Sequence, residues 1–480
     1  MSNQIILAHY QKNIIFMNKN KYIWILIFFA GCSHSPIIYN SIGRMNLKKK
    51  ILLIINESKI NTNIGVKAIS LTSNETLFEL NSNSLFNPGS NNKLYTGLSA
   101  LSLLDSNYTF NTNVYYENNK LYLQGGGDPD LSLRALDSLA TIISKMNLKI
   151  EQLILDDTRM DSTTYGQGWM WDEGAWWYSA QISALSVNDN CVDFIVSPGL
   201  LGKPAKIKTI PQSNYFKIIN KSVTTNDTSN SIKFEINRDW KNNSNSFTIS
   251  GNILSASGKD TLFRNIHDPT EFTGQLFKQM LFKKGKKINS IKKGLVPQQA
   301  KLITFHKSKS LVPIIENLMV KSDNLTAELL IKTIGFEANK KEGNWKNGLK
   351  EVRKFINDTV GIDTTNFSIQ DGSGVSRYNY GSPSQYIDLL KWAYKNKAIR
   401  NQFINTLPNS TPEGVLHKRN LPNRVYAKTG SLSGVTTLSG YIFTDSGEIV
   451  AFSILMNGFK GTSLPYKDLQ DKIVSALSMI

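Results

Sequence analysis

Ser90-Asn91-Asn92-Lys93, Ser322-Asp323-Asn324 and Lys428-Thr429-Gly430 decide the reading of this chain. Pro88-Gly89 breaks the backbone just before Ser90. Leu94, Leu98, Leu101 and Leu104 then recur at three- and four-residue steps, which predicts a helix. Positions i and i+3 share a helix face, so Lys93 reaches the Ser90 hydroxyl. At a helix start the free N–H groups and the positive dipole end favour developing anionic charge. A serine is a weak nucleophile until a neighbour takes its proton, and a lysine can do so once desolvation leaves it partly neutral. Alone, this pattern also fits a plain helix cap, and Ser290-Ile291-Lys292-Lys293 matches it in a basic loop.

Ser322-Asp323-Asn324 lies between two helical segments. A hydroxyl there relays a proton, and an Asn amide offers donor and acceptor to a peptide, although capping of the helix at Leu325 explains the stretch equally. Ser186-Val187-Asn188 has the same form. Lys428-Thr429-Gly430 occurs once, at the end of a strand-like run. Lys428 supplies positive charge, Thr429 a hydroxyl for a substrate carboxylate, and Gly430 room for close backbone approach. An edge strand here would pair with an extended peptide, and the Ser431 N–H would join the Ser90 N–H as an oxyanion hole. Ordered together in matching local structure, the three stretches favour catalysis over three coincidences.

From Ser90 to Ser322 is 232 residues, and from Ser322 to Lys428 is 106, so the first interval holds an inserted domain. Short β-type runs precede it at Ile51–Asn56, Gly65–Leu71 and Glu75–Leu80. Strand-like pieces such as Asn113–Tyr116, Lys120–Gln124, Ser229–Ile236 and Ser246–Ile249 alternate with polar turns between 107 and 268, with one helix over Leu131–Met146. Helices return at Glu271–Phe282, Pro313–Met319, Leu325–Ile334 and Trp345–Asp358. Strands follow at Arg424–Thr429, Leu438–Phe443 and Ile449–Leu455, then a helix at Tyr466–Met479. The expected fold is α/β (α+β), with residues 32–106 and 269–480 closing one domain around a mostly β insertion at 107–268, itself two nested pieces.

The 480 residues carry 40% hydrophobic and 19% charged side chains, the balance of a folded globular protein, and a formal charge of +18. The lysines are scattered outside Lys283–Lys293 and no nucleic-acid module is present, so a solvated basic surface is expected, suited to cell-wall polymer. Residues 1–31 read as an export signal: Lys19 and Lys21, the apolar run Ile23–Phe29, then Ala30-Gly31-Cys32. Small residues before a cysteine resemble a bacterial lipoprotein box, with Cys32 lipidated and Met17 the true start; an ordinary cleaved signal is the other reading. Cys191, in an apolar stretch, is expected to be a buried inert thiol. His267, His306 and His417 stand apart with no H-E-x-x-H, so no metal or cofactor is expected.

The three motifs and the long interval resemble the class C low-molecular-mass penicillin-binding proteins, the serine D-Ala-D-Ala carboxypeptidase/endopeptidases. The similarity spans nearly all of the chain beyond the signal. It includes Gly126-Gly127-Asp128-Pro129, Gly168-Trp169-Met170-Trp171-Asp172-Glu173, Ser183–Asn188 and Asp371-Gly372-Ser373-Gly374. The resemblance implies a transpeptidase-like domain split by an insertion, in the periplasm, acting on peptidoglycan stem peptides. Ser90 would attack the carbonyl between two D-alanines, Lys93 would be the base, and Ser322 and Lys428 would pass the proton to the leaving amine. Asn324 and Thr429 would hold the substrate, Asp172 or Glu173 would meet the amino group of the stem, and β-lactams would acylate Ser90 and stay. A serine β-lactamase shares the motifs but usually lacks a long insertion; a non-catalytic wall-binding lipoprotein is the rival of a different class.

Overall fold

The computed structural model describes residues 45–229 and 232–480. The expected signal and Cys32 lie outside them. A five-stranded antiparallel sheet joins the two ends of the chain, in the order Val425–Leu432, Val435–Phe443, Ile449–Asn457, Asn63–Ser70, Thr76–Leu80. Asn63–Ser70 pairs with Ile449–Asn457 over its whole length, which closes the split domain. Alternation sorts the side chains of this sheet between two cores. Val66, Ala68, Phe452 and Ile454 meet Leu469, Ile473 and Leu477 of the helix Leu464–Leu477 on one face. Ile69, Tyr441, Ala451 and Leu455 meet a helical layer on the other.

That layer contains Lys93–Leu104, Leu311–Val320, Asn324–Asn339, Trp345–Phe355, Pro383–Lys395 and Arg400–Thr406. The expected strand at Ile51–Asn56 is instead part of a helix at 45–57. Its β-type composition is overridden by spacing: Leu47 and Ile51, four apart, are buried against the terminal sheet, while Leu52 and Leu53 face solvent.

The insertion is more mixed than its sequence suggests. Its main sheet runs Ser290–Lys293, Gln152–Asp156, Lys120–Gln124, Asn111–Glu117, Lys301–Lys307. Lys120–Gln124 and Gln152–Asp156 are parallel neighbours, a pairing that needs a crossover, and the helix Leu133–Ser144 supplies it. The helix Pro269–Lys283 buries Phe272, Leu276, Phe277 and Leu281 in the same core, and two strands beyond it complete the sheet. The inserted unit therefore continues past 268 to about residue 307; turn-rich, lysine-rich sequence at 284–301 hides those strands. Between Cys191 and Asn265 three small β-sheets nest upon this layer, packing Phe194, Phe247 and Ile249 into its core. Cys191 is a buried free cysteine whose thiol burial pushes well above its ordinary pKa.

Candidate active site

Ser90 lies in a single 3₁₀ turn, Gly89–Asn92, that leads into the helix starting at Lys93. In a 3₁₀ turn side chains at i and i+3 eclipse, which sets Lys93 directly behind Ser90. Lys93 Nζ donates to Ser90 Oγ at 3.0 Å. The turn is anchored on all sides: Asn91 Nδ2 donates to Ser439 Oγ at 2.7 Å, Asn92 Nδ2 to Asp371 O at 2.8 Å, and Thr437 Oγ1 to Pro88 O at 2.8 Å. Gly89, at φ +51°, lies so near the last motif that an added Cβ would sit 3.2 Å from Ser431 N. At Gly430 a Cβ would meet Pro88 O at 2.5 Å, so the third motif needs a glycine to touch the first.

Lys93 has no solvent exposure. Besides Ser90 it donates to Asn324 Oδ1 at 2.6 Å and Ser373 O at 2.7 Å. Burial lowers its pKa to about 8, against the raising charges of Glu328, Asp371 and Asp323. Lys428 donates to Ser322 Oγ at 2.9 Å and to Thr429 O at 3.0 Å. Burial, then the charge of Lys93, hold it well below its ordinary range. Its strand neighbour Ala427 belongs to the core under the terminal helices, so alternation turns Lys428 toward the helical layer and Ser322.

Ser322 adopts φ +56°, a strained backbone for a non-glycine residue. Asp323 takes the capping role: its carboxylate accepts from Leu325 N at 3.1 Å and Thr326 N at 3.0 Å. That leaves Asn324 to face Lys93. Asn324 Nδ2 also donates to Tyr178 O at 2.8 Å, so at most one N–H remains for a ligand.

Two further groups shape the cleft. Asp371 accepts from Gly374 N at 2.9 Å, Ser376 N at 2.6 Å, Asn379 Nδ2 at 2.7 Å and Trp169 Nε1 at 2.9 Å. Glu328, fully buried, accepts from Gly372 N and Ser373 N, both at 2.8 Å, and from Trp345 Nε1 at 2.7 Å. These bonds fix the Ser373 carbonyl that receives Lys93. On the same helix Lys332 bonds Asp161 Oδ1 and Thr163 O of the insertion, each at 2.6 Å. Asn324, Glu328 and Lys332 are spaced i, i+4, i+8, one polar stripe from the amine cluster to the insertion. The sequence reading missed Glu328 and Lys332; two charges on the apolar period of a helix were the available signal.

The profile of the D-Ala-D-Ala carboxypeptidase 3 (S13) family matches residues 47–479. The chain belongs to that family. It is 30% identical over 435 residues to a D-alanyl-D-alanine carboxypeptidase of Actinomadura sp. (strain R39), covering 83% of this chain and 78% of that one. With D-alanyl-D-alanine carboxypeptidase DacB of Haemophilus influenzae it shares 26% over 434 residues, 86% and 89% of the two chains. The crystal structure of penicillin binding protein 4 (dacB) from H. influenzae superposes with a TM-score of 0.77 at 24% identity, over 89% of this chain and 99% of that chain. At that identity the superposition speaks to fold: a penicillin-binding-type domain with an insertion.

In this S13 carboxypeptidase-family chain the insertion reaches the site through Tyr178 O, which accepts from Asn324, and through Trp169, which donates to Asp371. Asp172 is exposed, whereas Glu173 is half-buried and accepts from Tyr178 Oη at 2.7 Å. Burial, and then the bond to Glu173, raise the pKa of that phenol. Val425–Leu432 ends its sheet, and its first half is covered: Ala427 N donates to Pro408 O at 2.8 Å and Ser410 N to Val425 O at 3.0 Å. From Lys428 onward no strand of the described residues pairs with the outer side of this S13 edge strand. Thr429 is half-buried and Ser431 exposed along it.

Proposed function

We propose that this S13 family member hydrolyses D-Ala-D-Ala ends of peptidoglycan stem peptides through an acyl-enzyme on Ser90, and also cuts D-Ala–diamino-acid cross-links as an endopeptidase. The carrying observation is the buried Lys93 amine, 3.0 Å from Ser90 Oγ and with a pKa of about 8, a base held ready for the hydroxyl proton. Ser90 Oγ attacks the scissile carbonyl as Lys93 takes its proton. The C–N bond then breaks, and the proton passes through Ser322, with Lys428 beside it, to the departing amine. Water repeats the sequence on the ester and frees the enzyme. The Ser90 and Ser431 amides stabilise the oxyanion, and the free half of the edge strand, with Thr429, receives the extended peptide. Between the two acids, half-buried Glu173 beside Tyr178 suits the stem amino group better than exposed Asp172. β-Lactams follow the same attack and remain on Ser90.

The apolar run Ile23–Phe29 and the Cys32 that follows it support a reading as an exported, lipid-anchored periplasmic protein; labelled palmitate recovered on wild type and absent from Cys32→Ala tests the anchor. Digestion of purified peptidoglycan, with fragments identified by mass, tests the activity: release of D-alanine and separation of dimers into monomers are expected. Intact fragments would sink the reading. Glu328→Gln offers a finer check. Its new NH₂ group faces a backbone donor, a cost of about 1–3 kcal/mol that a lower Tm will show. Lys93 also loses a raising neighbour while Asp371, Asp323 and Lys428 stay in place. The pH midpoint for penicillin acylation should therefore fall below that of the wild type. An unchanged midpoint would show that Glu328 does not act on Lys93.

A further inference from the structure

The insertion carries a recess of about 530 Å³, lined by Tyr165, Trp169, Trp171, Trp240, Lys241 and Asn243. Trp171 is 73% exposed, an extreme value for an indole. Its ring and that of Trp240 stand 5.3 Å apart at 52°, so their faces open as a wedge. Lys241 Nζ sits 5.8 and 5.6 Å from the two ring centroids. The wedge is pre-built. Trp240 lies against Gly174, where a Cβ would come within 2.9 Å of the indole nitrogen. Buried Asn265 Nδ2 holds the loop behind it through Gly174 O at 3.1 Å and Trp176 O at 2.8 Å.

Three properties narrow the occupant. The recess has the volume of a small-molecule site. Its surface is aromatic faces with a few polar tips, which suits a ligand apolar on its flat face and hydroxylated at its edge. Its wall is also tied to the site, since Trp169 Nε1 donates to Asp371, whose carbonyl holds Asn92 of the Ser90 turn. We propose that the Trp171–Trp240 wedge binds N-acetylated hexosamine rings of the glycan strand that carries the stem peptide. The ring C–H face lies on an indole, and hydroxyl and acetamido groups meet Lys241 and Asn243. This rests on the peptidase reading of Ser90 and adds recognition of the polymer to it.

Calorimetric titration with a peptide-free β-1,4-linked N-acetylglucosamine tetramer should show saturable binding to wild type and to Ser90→Ala alike. Binding should weaken at least tenfold in Trp240→Ala and recover in Trp240→Phe. On intact sacculi Trp240→Ala should release D-alanine at least fivefold more slowly, with turnover of a soluble pentapeptide and Tm unchanged. No tetramer binding, or equal loss on sacculi and pentapeptide, would overturn the proposal. Binding of the wedge to anionic vesicles without tetramer binding would assign it to a lipid surface and overturn it too. A wild type that binds the tetramer yet cleaves neither substrate would refute the reading of Ser90 and leave the saccharide site standing.

Discussion

Ser90→Ala will form no stable adduct with a fluorescent penicillin and will release no measurable D-alanine from a pentapeptide, a loss of about 10⁴-fold or more. No described neighbour can replace the nucleophile. Ser322 Oγ is held by Lys428, and the other amine of the cleft, Lys93, stays fixed behind the turn by its bonds to Asn324 Oδ1 and Ser373 O. The fold should not change, because Ser90 is half-buried and Asn91, Asn92 and Pro88 hold the turn without it. A stable label at unchanged Tm would place the nucleophile elsewhere and remove the basis of the mechanism. A label lost together with a large drop in Tm would trace the loss to the fold.

Lys93→Met comes next, with a loss of about 10²- to 10⁴-fold in acylation rate. In the wild type only the neutral amine accepts the Ser90 proton. With its pKa lowered to about 8, that form fades as pH falls through this value, so the rate should rise with pH about a midpoint near 8. The methionine variant should lack this limb and run flat at its residual rate. Stopped-flow acylation between pH 6 and 10 measures both effects. Persistence of the limb in the variant would assign the titration to Lys428, which shares the buried cleft and is also lowered.

What the sequence disclosed follows from how local each signal is. Ser90 and Lys93 are joined by one turn, so their contact was legible. The 3₁₀ form of that turn was not, because it comes from Asn91 and Asn92 reaching Ser439 and Asp371, hundreds of residues away. The terminal strands alternate buried side chains between two cores, and all three were found within a few residues of their bounds. The helix Pro383–Lys395 went unread although Ser382, Pro383 and Gln385 form a capping box with proline at the first turn. Strands Ser290–Lys293 and Lys301–Lys307 are edges, with exposed lysines and little apolar pattern, so pairing alone defines them. Glu328 was invisible for another reason: its importance lies in backbone groups of a loop that folding brings to it.

The polar stripe along Asn324–Asn339 limits how this architecture can be trimmed. Lys332 is an ammonium with no exposure whose counter-charge, Asp161, and carbonyl partner, Thr163, both come from the inserted polypeptide. Cutting that polypeptide out would take both partners from Lys332 and leave it to water, the charge of Glu328 and the ring of Trp345. The outer pieces thus take the partners of a buried charge from the insertion. A minimised version would have to give Lys332 new partners or replace it.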